Sequence, residues 1–179
     1  MICISNSIVE RGLQNKYTII YMQLHFLGEL YDVNIFATTI TSYNLTFNYA
    51  EFILTAPRGG TKQAKVNEVV EDWYRKQAKK HLVSEVNIYC EKLGVKYNKL
   101  VIKNTKTRWG SCSSKGNLNF NYNLIKMPKE ILEYVVIHEV CHLKHLNHSK
   151  EYWDLVGQMC PQYKERIKWV KVNGGGYIN

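Results

Sequence analysis

His138 and His142 stand four residues apart around Glu139 in the run His138-Glu-Val-Cys-His142, and His145 and His148 follow. On a helix a four-residue step returns to the same face one turn on. Both imidazoles can therefore aim at one cation while the carboxylate sits beside the ion's open position. This is the HExxH arrangement of zinc hydrolases. Zn²⁺ lowers the pKa of a bound water to about 7, and Glu139 as general base then helps deliver hydroxide to a polarised carbonyl or phosphoryl centre. The flanking residues Val135, Val136, Ile137, Val140 and Cys141 are apolar. Burying two His and a Glu among them costs several kcal/mol unless those groups are satisfied, which a metal and its water would do.

A catalytic zinc needs a third protein ligand and a position left open for water. His145 lies three residues past His142, and a helix continuing to about residue 146 would carry it round and off the metal axis. His148 is preferred. It follows the helix-stopping Asn147 and precedes Ser149, a plausible N-cap, so the chain can turn back there and bring a third imidazole over the pair.

Upstream, Arg108-Trp109-Gly110-Ser111-Cys112 is a candidate for the strand at the edge of a cleft, where an extended substrate adds its backbone. Gly110 would permit close approach, Arg108 could hold an anion or a developing oxyanion, and Trp109 would serve as core or as substrate contact. Cys112 and Cys141 read as small half-buried residues, since three histidines already suffice for the metal.

The elements that must position these groups can be sketched from periodicity. Residues 16–55 are rich in Thr, Tyr, Ile and Phe with short alternations, which predicts three or four antiparallel strands. After Ala56-Pro57-Arg58-Gly59-Gly60, apolar residues at helical spacing from Val66 to Leu93 predict one long helix or two, broken near residues 81–84, with Gly94 as C-cap. Residues 99–103 alternate as a strand, and residues 111–121 form a hairpin turning at Lys115-Gly116-Asn117. Pro128 opens the HExxH helix, Ser149 caps another, Pro161 interrupts it, and a last helix stops before Gly174-Gly175-Gly176. The expected organisation is one compact domain with a strand-rich segment over residues 1–60 and a metallohydrolase core over residues 61–179.

The chain has 179 residues, 45% of them hydrophobic and 22% charged, which suits an ordinary globular protein and excludes disordered and repeat classes. The net charge is +9. Residues 62–108, bounded by Lys62 and Arg108, hold 12 basic and 5 acidic side chains of that balance, a segment that serves either as a solvated helix face or as a contact for nucleic acid or a nucleotide. No apolar run approaches the roughly 20 residues that span a bilayer, the start lacks the order of a secretory signal, and five cysteines at irregular spacing suggest reduced thiols. A cytoplasmic protein with no membrane partner is expected.

Taken together, Thr107-Arg108-Trp109-Gly110-Ser111-Cys112-Ser113-Ser114-Lys115-Gly116, the run from His138 through His148-Ser149, and Tyr152-Trp153 resemble the YgjP-like metallopeptidase family, bacterial relatives of the SprT-like and WLM zinc proteases. The likeness runs from about residue 73 to 172, with weaker echoes at Leu27-Gly-Glu-Leu-Tyr-Asp-Val and Thr55-Ala-Pro. It implies an α+β, minimal zincin-like fold in which a strand-rich start is followed by helices and a small antiparallel sheet around the HExxH helix. It also implies His138, His142 and His148 as zinc ligands and Glu139 as catalytic acid/base. Family members commonly begin with an arginine-rich strand pair, whereas residues 1–15 here are poor in arginine. The resemblance leaves the substrate open: members are called peptidases by analogy, SprT-like relatives cleave proteins crosslinked to DNA, and YgjP itself is associated with hydrolysis of UTP to UMP.

Three functions therefore compete. A zinc metallopeptidase acting on a protein or peptide, free or held on nucleic acid, comes first. A nucleoside triphosphate (UTP) pyrophosphatase would use the same metal site, with Arg108 and nearby lysines gripping phosphates. A nucleic-acid-binding module with structural zinc ranks last, because structural sites fill all four positions with protein ligands and need no acid at Glu139.

Overall fold

The computed structural model of the chain describes residues 4–5, 21–39, 41–58 and 62–177. Apart from Ile4–Ser5, the arginine-poor start and the alternation at Tyr17 and Ile19 lie outside the described residues. The elements are β1 (Ile4–Ser5), β2 (Tyr21–Phe26), β3 (Glu29–Thr38), β4 (Asn44–Phe47), β5 (Phe52–Pro57), α1 (Gln63–Leu93), β6 (Lys99–Lys103), β7 (Gly110–Cys112), β8 (Asn117–Asn121), α2 (Lys129–Cys141), α3 (Lys150–Met159) and α4 (Tyr163–Asn173). Short 3₁₀ turns occupy Tyr122–Lys126 and Gly174–Tyr177. Strands thus come first, then helices with a second, smaller sheet, and the fold is α+β as the sequence leads one to expect. No helix among the described residues is long and apolar enough to cross a membrane.

The chain forms two compact units, Met1–Trp73 and Tyr74–Asn179, with the boundary inside α1. In the first, a five-stranded sheet has the order β1-β2-β3-β5-β4. Strands β2 and β3 join through Leu27 (φ 50°) and Gly28 (φ 95°), the two positive φ values that a tight hairpin with the native strand twist requires. The expectation of purely antiparallel pairing needs correction, because β3 and β5 run parallel. The chain leaves β3, passes over one strand position to form β4, then turns back and fills the gap as β5, antiparallel to β4. Alternation reports which face a side chain takes and carries no sign of strand direction. Trp73 meets the rings of Phe26, Phe47 and Phe52 at 5.1, 6.3 and 4.8 Å, an edge-on cluster that anchors this unit's core.

In the second unit α1 continues without a break through residues 81–84, because Ala78, Leu82, Val86, Tyr89 and Leu93 keep one buried stripe going, and Gly94 (φ 62°) ends it. The small sheet has the order β6-β8-β7. Strands β7 and β8 pair antiparallel across the turn closed by Gly116 N to Ser113 O (2.8 Å), whereas β6 joins β8 in parallel, so this sheet is mixed where an antiparallel one is expected. Pairing register sorts its faces. Leu118 and Phe120 of β8, both fully buried, share a face with their partners Gly110 and Cys112, while Asn117, Asn119 and Asn121 share the other with Ser111, Lys99 and Lys103.

Candidate metal centre

Helix α2 is buried along most of its length, from Ile131 through Cys141. It ends at Cys141, five residues short of the predicted stop, but His142 keeps helical angles (φ −64°, ψ −17°), so the four-residue spacing of His138 and His142 survives. The early stop has a local cause. His142 Nδ1 lies 2.9 Å from the carbonyl of His145, across a tightened turn in which Lys144 N and His145 N both bond the Cys141 carbonyl (3.0 and 3.1 Å). His145 accordingly supplies a backbone oxygen, and its ring lies off the helix.

Past that turn Ser149 caps α3, its hydroxyl accepting from Tyr152 N, and His148 comes to rest beside the helical pair. His148 Nε2 is 3.1 Å from His142 Nε2 and 3.3 Å from His138 Nε2. The ligating atoms of all three rings fall within 4.8 Å of one another, and these three residues could hold a metal ion. Aromatic rings fix their planes. His142 stacks on Tyr152 at 4.5 Å, His148 stacks on Trp153 at 5.4 Å, and Trp153 in turn stacks on Tyr163 at 5.3 Å. Tyr152 Oη also donates to the His138 carbonyl at 3.0 Å.

The chemistry of this donor set can be tested against a cation. A carbonyl only accepts, so the His142 ring must carry its proton on Nδ1 and turn a lone pair inward at Nε2. Burial, then the charges of His142 and His148, push His138 down to about 4. Burial also lowers His142, opposed by its bond to His145, so both rings are biased toward the neutral form that binds a metal. His138 Nδ1 is buried without a hydrogen-bond partner. With its proton on Nδ1, His142 turns a lone pair toward His148 Nε2, which also lies against His138 Nε2, and a group of imidazole nitrogens this close is a donor set that zinc prefers. The residues fit a zinc ion.

Glu139 is 5% exposed, and that burial drives its carboxyl up to about 8, with Arg108 drawing it back. Its neighbour explains a glycine. A Cβ on Gly110 would stand 2.6 Å from both Cγ and Oε1 of Glu139, so only a residue without a side chain lets β7 lie this close to α2. Arg108, Trp109 and Gly110 from one side, and Tyr134, Val135, His138 and Glu139 of α2 from the other, line a cleft of about 230 Å³ that Val170 of α4 completes. Trp109 is half-buried, its carbonyl accepting from Asn121 N at 2.9 Å and its indole packed under Gly174. Cys112 and Cys141 stand apart from the histidine group, and burial pushes their thiols up to about 11 and about 12.

The structure thus brings His138, His142 and His148 together and places Glu139 with His138, Arg108, Trp109 and Gly110 in the lining of one cleft. Sequence reasoning named Tyr152 and Trp153 only as part of the family resemblance, without a role at the site, and passed over Tyr134 and Tyr163. Tyr134 had a signal, lying one helical turn before His138 on the same face, whereas the ring stack from His148 to Tyr163 is tertiary and has none.

Two solved structures are similar over part of the chain: the metallopeptidase zymogens abylysin of Pyrococcus abyssi (24% identity, TM-score 0.44, covering 48% of this chain and 87% of that one) and jannalysin of Methanocaldococcus jannaschii (22%, 0.41, 48% and 92%). No curated protein matches the sequence. The profile of the YgjP-like metallopeptidase domain matches residues 6–173, nearly the whole chain, and carries with it a metal ion and hydrolytic chemistry. The chain belongs to the YgjP-like metallopeptidase family and is a metallohydrolase.

Proposed function

We propose that the protein is a zinc-dependent peptidase in which His138, His142 and His148 hold the ion and Glu139 is the general acid/base. The observation that carries this reading is the convergence of three ring nitrogens, one of them on a ring that shares a cleft wall with Glu139, the carboxylate against which Gly110 packs. Zinc bound there would acidify a water and polarise the substrate carbonyl. The rest falls to the chain's own groups. Glu139, whose carboxyl burial holds up, would be ionised by the nearby cation, take a proton from the attacking water and return it to the leaving amine. Strand β7, at the outer position of its sheet among the described residues, offers backbone groups to an extended peptide. Arg108, which lines the cleft, supplies a positive charge for the developing oxyanion.

A panel of casein peptides and nucleoside triphosphates, incubated with zinc-loaded protein and with its Glu139→Gln variant, tests the assignment. Peptide cleavage by the parent and none above background by the variant is the expected result. Turnover of UTP without peptide cleavage would overturn the peptidase reading, and undiminished activity in the variant would overturn the role of Glu139.

A further inference from the structure

A second cavity, of about 170 Å³, shares the Arg108-Trp109-Gly110 wall with the cleft. Beyond that wall it takes Lys103, Thr105, Ser111, Asn119, Phe120 and Asn121. Its lining contains two cations and no Asp or Glu. Lys103 has no ion-pair partner among the described residues, and Arg108 is bonded to no carboxylate there, although its charge reaches Glu139. The amides are arranged to leave donors over. Asn119 Nδ2 donates to Ser111 Oγ (3.2 Å), which frees the serine hydrogen, and Asn121 is spent on holding the loop, donating to the Thr105 carbonyl (2.7 Å) and accepting from Asn123 N (2.9 Å). Register explains the placement. Ser111, Asn119, Asn121 and Lys103 share the sheet face opposite Gly110, which faces Glu139. An extended peptide added beside β7 alternates its side chains between the two faces, so the residue next to one entering the cleft points toward this basic face.

We propose that this cavity is a substrate subsite for a carboxylate, borne by an acidic side chain within two residues of the scissile bond or by the peptide's C-terminus. The inference rests on the peptidase reading for its substrate and adds a specificity. Two cations and a hydroxyl suit an oxyanion, and charge-assisted hydrogen bonds of this kind discriminate against the uncharged isostere by about tenfold.

The test uses zinc-loaded protein and a labelled peptide series in which each flanking position is Glu or Gln and the C-terminus is free or amidated. The expected kcat/KM preference is about tenfold for Glu at one position or for the free C-terminus, and which of the two separates the sources. Lys103→Glu should abolish or reverse that preference and Lys103→Gln should reduce it. Binding of the same peptides to zinc-loaded Glu139→Gln, read by fluorescence anisotropy, keeps the subsite testable apart from turnover. A carboxylate preference in binding that Lys103→Glu removes, with no cleavage by the parent, would uphold the subsite and sink the peptidase reading. Cleavage with no carboxylate preference, or with one indifferent to Lys103, would overturn the subsite and leave the peptidase standing. UTP displacing the labelled acidic peptide at a hundredth of the concentration that glutarate needs would overturn the carboxylate assignment in favour of phosphate.

Discussion

Trp153 lies face to face between His148 and Tyr163, so the plane of the loop-borne imidazole is set by ring contact. Removing the indole should free His148, which stacks on it, more than His138, which it meets only at a tilt and 6.0 Å. Trp153→Ala is expected to weaken zinc binding by about 10- to 100-fold, the usual worth of groups that orient a ligand, while Trp153→Phe keeps most of it. Competition with a chelator measures both, and an unchanged affinity in Trp153→Ala would show that the loop alone places His148. Glu139→Gln has a different signature. The amide keeps the volume and a hydrogen bond but not the basicity, so zinc content should stay at the parent level while turnover falls by roughly 10²-fold to 10⁴-fold. Loss of zinc from that variant would make the carboxylate a ligand. What could be read from the sequence at this scale follows from range: His138, Glu139 and His142 are related by one helical turn, a local rule, whereas the stack depends on where α4 packs and leaves no pattern in the chain.

Strand β7 and helix α2 meet where a side chain is forbidden. Gly110→Ala would drive its methyl into Glu139, and since Glu139 is held on a buried helix the carboxylate must yield. About 10²-fold loss of turnover is expected with zinc retained, because displacement of a reacting group by about 1 Å costs that much. Kinetics and metal analysis on one preparation check it, and full activity would mean that β7 shifts instead. The elements themselves were legible in uneven measure. The hairpin, the Gly94 cap and the Ser149 cap are local chemistry and stand where the residues place them. The end of α2 at Cys141 is not local in that sense, since the His142 ring competes for a backbone carbonyl that helix periodicity assigns to the next turn. The parallel β3–β5 pairing was invisible because direction depends on which gap the returning chain fills.

Across the whole molecule, the charge of +9 is concentrated in residues 62–108, and part of that excess is solvated helix face, as with Lys65, which pairs with Glu68 at 2.7 Å. The family's metallopeptidase profile suggests a peptide or protein substrate. Metal should matter to stability as well as to chemistry. Zinc at about a thousand times its Kd adds about 4 kcal/mol to the folded state, enough to raise Tm by roughly 10 °C, and a calorimetric scan with and without chelator reads it. The account as a whole stands on three histidines, and zinc content in His→Ala variants tests that most directly. Elemental analysis should find about one zinc per chain in the parent and in His145→Ala, and close to none in His138→Ala, His142→Ala and His148→Ala. Full zinc in any of those last three, or its loss from His145→Ala, would contradict the site described.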